Sequence, residues 1–252
     1  MEFHIVDCLC HWGPSITLGS NVSTRTILGQ MKEAGVERAV VMPFPSTAAT
    51  SGEINVRLLN EARRVEEFIP YFHIREDLLP MPGKYYGCSW RRMRGDRDAG
   101  SNYAIFEDPR LSNLIDDLTM TGKPILFEED LLFTKRFAEM ADRLSLIVPH
   151  LGMTGGDPVD FLETFKNKPN VCFSTALAGK EMIVRFIEAI GPERVLFGSN
   201  LPFGSMASEV SKILSLPVSD SDKESILGRN IVRLSGLPLS YTRPATTSKA
   251  LS

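Results

Sequence analysis

Near the start of the chain, the stretch VDCLCHWG brings Asp7, Cys8, Cys10 and His11 together. An apolar run over residues 3–6 leads into it. If residues 3–8 form a buried strand, residues 7–13 lie where its carboxyl end opens. Three readings compete: a metal-binding strand end, a catalytic cysteine site, or the first strand of a core. A spacing of two puts both cysteines on one strand face, and apolar burial keeps a thiol protonated and inert. Small buried core residues are therefore the preferred reading of the pair.

Other residues carry chemistry in similar places. The chain has four histidines, and His11, His73 and His150 all follow short apolar runs. An imidazole there can carry protons near neutral pH. Glu128, at the end of PILFEE, offers a ligand or base, unless Arg91 or Arg92 neutralises it. In WRRMR, strand alternation gives Arg91 and Met93 one face, and Trp90, Arg92 and Arg94 the other. Arg91 is then free to grip a carboxylate or phosphate with two parallel hydrogen bonds. An ion-pair cluster with Asp96 and Asp98 is the competing reading.

The composition excludes several classes. The 252 residues carry a formal net charge of −3, so no basic field argues for nucleic acid or an acidic membrane. No apolar run approaches the roughly 20 residues that span a bilayer. Four scattered cysteines are too few for a disulfide framework, and they suit a reduced, cytoplasmic protein.

The elements that must position these residues alternate along the chain. Ser23 can cap a helix with Ile27, Leu28, Met31 and Ala34 on one face, and Gly35 stops it. ERAVVMPF and FIPYFHI read as the second and third strands. LLPMPGKYY reads as a turn-rich connector without a proper helix, feeding a poorer fourth strand, GCSWRRM. PILFEE, LIVPH, VCFST and RVLFGSN follow as strands five to eight, separated by helices that start at Asp108-Pro109, near Phe133, at Asp157-Pro158 and before Ile183. Eight short apolar strands with intervening helices have the length and order of a (β/α)8 TIM-type barrel, irregular around strands three and four. One domain over 1–240 is expected, with a polar, disordered tail over 241–252. Barrel enzymes place their chemistry at the carboxyl ends of the strands. The candidates there are Cys8, Cys10, His11, Trp12, Phe44, His73, Arg75, the arginines from Arg91, Glu128 to Asp130, His150, Ser174, Thr175 and Asn200.

Together these stretches resemble a family. FEDPRLSNLIDDLTMTGKPILFEED, LIVPHLG, GPERVLFGSNLPFG and ILGRNIVRL are similar, in order, to segments of the amidohydrolase superfamily. Within it, they resemble the branch of decarboxylases and hydrolases related to aminocarboxymuconate-semialdehyde decarboxylase. The resemblance implies a hydrolase or decarboxylase of a small carboxylated compound. It also implies a metal site that this chain has altered. The family's Asp-x-His-x-His falls on Asp7, Leu9 and His11, so one ligand is missing. Glu128 stands where a histidine normally ends strand five, His150 matches the sixth-strand histidine, and Asn200 replaces the eighth-strand aspartate.

The expectation is a metal-poor or metal-independent barrel. His150, Glu128 and Asn200 would form the catalytic set, and Arg91, Trp12, His73 and Arg75 would bind substrate. His11 and Glu128 are the remaining metal donors; no resident cofactor is expected beyond a weakly held zinc or manganese ion. The partner is a small anionic molecule, with no nucleic acid or membrane, and a homo-oligomer is compatible. The alternative is a catalytically inactive relative that binds a ligand or partner.

Overall fold

The apolar runs become strands covered on both sides, as parallel sheets require. In the computed structural model, which describes residues 3–91 and 100–238, nine strands form one sheet. They are β1 (Val6–Ser15), β2 (Ser20–Val22), β3 (Arg38–Pro43), β4 (Phe68–His73), β5 (Gly87–Arg91), β6 (Ile125–Glu128), β7 (Leu146–Val148), β8 (Val171–Ser174) and β9 (Val195–Leu196). Their order is β2-β1-β3-β4-β5-β6-β7-β8-β9. Only β2 runs antiparallel, folded back on the end of β1. The last strand segment returns to the first. Cys8 N–H donates to the Phe197 carbonyl at 3.0 Å, and His11 N–H donates to the Leu201 carbonyl at 2.9 Å. Eight parallel strands thus close into the expected barrel. The β2 hairpin was not foreseen, because three residues are too short to show a period.

Local signals set most helix ends. The Ser23 side chain accepts from Thr26 N–H to open Thr24–Ala34, and Gly35 closes that helix at φ 69°. Asp157 caps Pro158–Phe165, and Gly122 ends Arg110–Thr121 at φ 63°. The connector between β4 and β5 holds no helix, as expected. A short helix over Pro45–Thr50 was not foreseen. The 241–252 tail lies outside the described residues. No helix among the described residues is long and apolar enough to cross a membrane.

Alternation along each strand divides the core in two. Val6, Leu9, Val40, Met42, Ile69, Tyr71, Leu126, Ile147 and Leu196 fill the barrel with Ile231 and Val232. Val41, Trp90, Phe127, Phe137 and Phe173 pack outside it against the helices. At β1 the alternation breaks, because the pairing with β3 shifts between Asp7 and Cys10. This corrects the expected shared face of the two cysteines: Cys8 packs with the inner core and Cys10 with the outer one. Both thiols are buried and free of disulfides, and burial pushes their pKa values up.

Candidate active site at the barrel mouth

The register of β5 on β6 sets Arg91 directly beside Glu128. Trp90 turns outward, packs at tilted angles against Phe127 and Phe137 and donates its Nε1–H to Glu129 Oε1 at 2.9 Å. Arg91 is left facing inward. Its Nε and Nη2 engage Glu128 Oε2, and its Nη1 donates to His11 Nε2. His11 Nδ1 lies 3.2 Å from the Leu201 carbonyl. A guanidinium only donates and a carbonyl only accepts, so Nδ1 carries the hydrogen and Nε2 is the acceptor. The ring stacks on Phe44 at 4.9 Å and meets Phe203 edge-on at 5.8 Å. Burial first, then the Arg91 charge, holds the His11 pKa well below its ordinary value. His11 is a neutral, fully engaged ring.

Burial would raise the Glu128 pKa. The Arg91 charge, His150, and hydrogen bonds from Arg91 and Thr154 outweigh it and hold the carboxyl below its ordinary value. Glu128 is therefore an ionised carboxylate paired with Arg91. The neutralised-carboxylate reading holds, with Arg91 as partner. Arg92 and Arg94, the other arginines of that run, lie outside the described residues.

A second set of mouth residues, carried after β7, β8 and β9, is built differently. After β7 the backbone passes through His150 and Leu151 in the left-handed region, at φ 55° and 53°. Gly152 follows at φ 88°, where a Cβ would sit 2.4 Å from the Phe161 ring, so only glycine fits. Asn200, beyond β9, is also left-handed at φ 55°. Such backbone costs about 1–3 kcal/mol per residue and gathers at functional sites. Both ring nitrogens of His150, Thr175 Oγ1 and Asn200 Oδ1 are buried without a hydrogen-bond partner among the described residues. Burial lowers the His150 pKa; the Glu128 charge pulls it back, the Arg91 charge lowers it further, and the nearby Ala176 backbone raises it a little. His150 is neutral at pH 7, beside a carboxylate that would stabilise its protonated form.

The remaining candidates are more peripheral. His73 pairs in register with Ser89, one inner layer below Arg91, and its Nδ1 lies 3.1 Å from Ser89 Oγ. Burial, then Arg91 and Arg75, lowers its pKa to about 3. Arg75 sits on the rim, with Nε 3.5 Å from Asp77. Trp12 does not join the site. Its Nε1–H donates to Thr24 Oγ1 at 3.0 Å, and it packs in the outer core, because adjacent residues of a strand face opposite ways and His11 points inward. Thr175 was a strand-end candidate without a role, and two contributors were not assigned to the site from sequence: Phe203 and Asp7. Phe203 lay within the FGSNLPF motif. Asp7 Oδ1 accepts from the N–H groups of Leu9 and Ser199, both at 2.9 Å, tying β1 to the segment carrying Asn200. Burial, outweighing its hydrogen bonds, raises its pKa to about 6.

The donors do not fit a catalytic divalent ion, which needs about three protein ligands. Leu9 is sealed in the inner core, while His11 Nε2 and Glu128 Oε2 are both taken by the guanidinium. Among the described residues no three His, Cys, Asp or Glu side chains are grouped to hold a metal. A groove of about 750 Å³ opens at the opposite, amino end of β4 and β5, beside Phe68, Lys84, Tyr86 and Lys123. It lies away from all these groups.

A closed parallel barrel with a polar mouth defines the class, and comparison with known proteins shows what the chain resembles. Residues 117–237 match the family model described as amidohydrolase, and over that span the chain's likeness to the amidohydrolase family is shown. The barrel is similar to 2,6-dihydroxybenzoate decarboxylase from Rhizobium, with a TM-score of 0.74, 14% identity, and 94% of this chain and 99% of that one covered. A dihydroxybenzoic acid decarboxylase from a Polaromonas species, with bound manganese, matches at TM-score 0.72 and 12% identity, covering 92% of this chain and 96% of that one. An amidohydrolase from Burkholderia multivorans, with bound zinc, matches at 0.74 and 14%, covering 93% and 99%. At these identities the structural likeness speaks to fold. No curated protein matches the chain by sequence.

Proposed function

We propose that the mouth binds a small carboxylated compound, with an aromatic or apolar body, and hydrolyses or decarboxylates it. One observation carries this reading: His150 is buried at the mouth on a left-handed backbone, with neither ring nitrogen in a well-formed hydrogen bond among the described residues and only the Ala176 backbone near. A buried polar group left unpaired costs about 1–3 kcal/mol, so the arrangement suits a ring kept for a ligand. Asn200 Oδ1 and Thr175 Oγ1 offer two more contacts. The exposed Phe203, Leu177 and Met153, on the loops after β9, β8 and β7, suit an apolar body, and Arg91 supplies the cation for the acid group.

His150 carries the proton. In hydrolysis, the neutral ring takes it from water as the oxygen bonds to the acyl carbon, then returns it to the leaving group. In decarboxylation, it relays a proton to the carbon that loses carbon dioxide. Glu128, held ionised by Arg91, stabilises the imidazolium in either case. Asn200 orients; an amide cannot accept a proton near neutral pH. The aromatic-acid decarboxylases among similar barrels favour this substrate class, and the disulfide-free cysteines favour a cytoplasmic setting.

Binding without turnover is the second reading, favoured by the engagement of Glu128 with Arg91 and by the amide at position 200. A panel of aromatic acids, dicarboxylic acids and their esters tests both, by thermal shift and by release of carbon dioxide or alcohol. Acids should raise Tm, and turnover should vanish in His150→Gln. Acid binding with no turnover selects the second reading. A Tm shift with neutral compounds alone, or turnover surviving in His150→Gln, overturns the proposal.

A further inference from the structure

We infer that the Arg91 guanidinium is a built-in cation standing in place of the family's divalent metal, with His11 and Glu128 as its holders. The inference does not depend on which reaction the mouth performs.

The argument begins with the two donors that survive from the ligand pattern. A metal would need the Nε2 lone pair of His11 and an oxygen of Glu128. Arg91 claims both, through Nη1 to His11 and through Nε and Nη2 to Glu128 Oε2. The arrangement is rigid. Arg91 and Glu128 are register neighbours on adjacent strands. His11 is fixed by the Leu201 carbonyl and by stacking on Phe44. The Arg91 and Glu128 side chains are each only 11% exposed, so the pair is not an incidental surface contact.

Charge points the same way. A divalent ion would enter beside a fixed positive charge in a poorly solvated mouth, where repulsion is weakly screened. At position 9, where the pattern calls for a ligand, Leu9 fills the inner core. A neutral histidine, a carboxylate and a guanidinium satisfy one another without an added ion. The guanidinium has five N–H donors in a planar fork, more than these partners among the described residues take. It can therefore offer a carboxylate oriented hydrogen bonds where an ion would offer a point charge.

The test measures metal content rather than activity, in two backgrounds. One is the natural sequence; the other restores the family pattern with Leu9→His, Glu128→His and Asn200→Asp. Each is prepared with Arg91 and with Arg91→Met, checked for folding by circular dichroism, dialysed against zinc or manganese, and assayed by elemental analysis and calorimetry. In the restored background, Arg91→Met should take up about one ion per chain, while the parent retaining Arg91 stays largely empty. In the natural background, Arg91→Met should tighten metal binding about tenfold or more, and Arg91→Lys, which keeps the charge, should not. Should one background fail to fold, the other gives the same comparison. Equal metal uptake with and without Arg91, or stoichiometric metal in the wild type lost on His11→Ala, overturns the inference.

Discussion

The two sides of the barrel mouth contrast in how their polar groups are satisfied. On the β1, β5 and β6 side, His11, Arg91 and Glu128 bond to one another, and the ring of His11 is pinned by Leu201 and Phe44. On the β7, β8 and β9 side, His150, Thr175 and Asn200 keep buried polar atoms without partners among the described residues, and two of the three sit on left-handed backbone. On the first side these three groups satisfy one another and hold a charge in place. The second is completed by something that binds. A site divided this way uses one half as a fixed electrostatic wall and the other as the reactive face.

The largest effect that would break this contrast is on turnover. His150→Gln should lower it by about 10²–10⁴ with little loss of stability, since the ring makes no well-formed hydrogen bond among the described residues. A comparable loss of stability would mean that the ring is structural.

Arg91→Met should act in the opposite way. It leaves Glu128 buried without its cation, at a cost of about 3–5 kcal/mol, and it should abolish the rise in Tm given by acids. Adding Glu128→Gln should recover much of that stability in urea denaturation but none of the acid response. Recovery of both would place acid recognition elsewhere.

Stability against pH sharpens the comparison further. His73 titrates near 3 in the folded protein and near 6.5 unfolded, so the unfolded chain binds more protons between those values. Stability from His73 is complete above about 6.5 and is lost as pH falls toward 3. His11 and His150, also lowered, act in the same direction. Asp7 acts oppositely: its folded pKa is raised to about 6, so its contribution is complete below about 3.9 and is lost as pH rises through 6. Asp7→Asn should therefore stabilise the protein at pH 8 relative to pH 4, by up to about 3 kcal/mol. Urea midpoints across that range measure it, and a flat difference would show that Asp7 does not titrate as its burial implies.

The smallest effect belongs to a residue outside the contrast. Trp12→Phe loses one hydrogen bond to Thr24 and should cost about 1 kcal/mol without altering acid binding. Altered acid binding would return Trp12 to the site.

Much of this was legible in the sequence. Ser23, Gly35, Gly122 and Asp157 mark helix ends through bonds and dihedrals that depend only on near neighbours. The apolar runs gave strand order, and strand order gave the barrel and the roster of residues at its mouth. Register and orientation lay beyond that reach. The shift in β1 puts Cys8 and Cys10 on different faces, because pairing with β3, not residue spacing, sets which face each of them takes. PILFEE and WRRMR each named their charged residues, but only the β5–β6 register made Arg91 and Glu128 a pair. Only closure of the barrel brought His11 to Leu201, across 190 residues of chain. Sequence alone determined which groups reach the mouth, since that follows from local periodicity. Tertiary structure decided which of them neutralise each other and which stay open, since hydrogen bonds and charge pairing act over a few ångströms between strands distant in the chain.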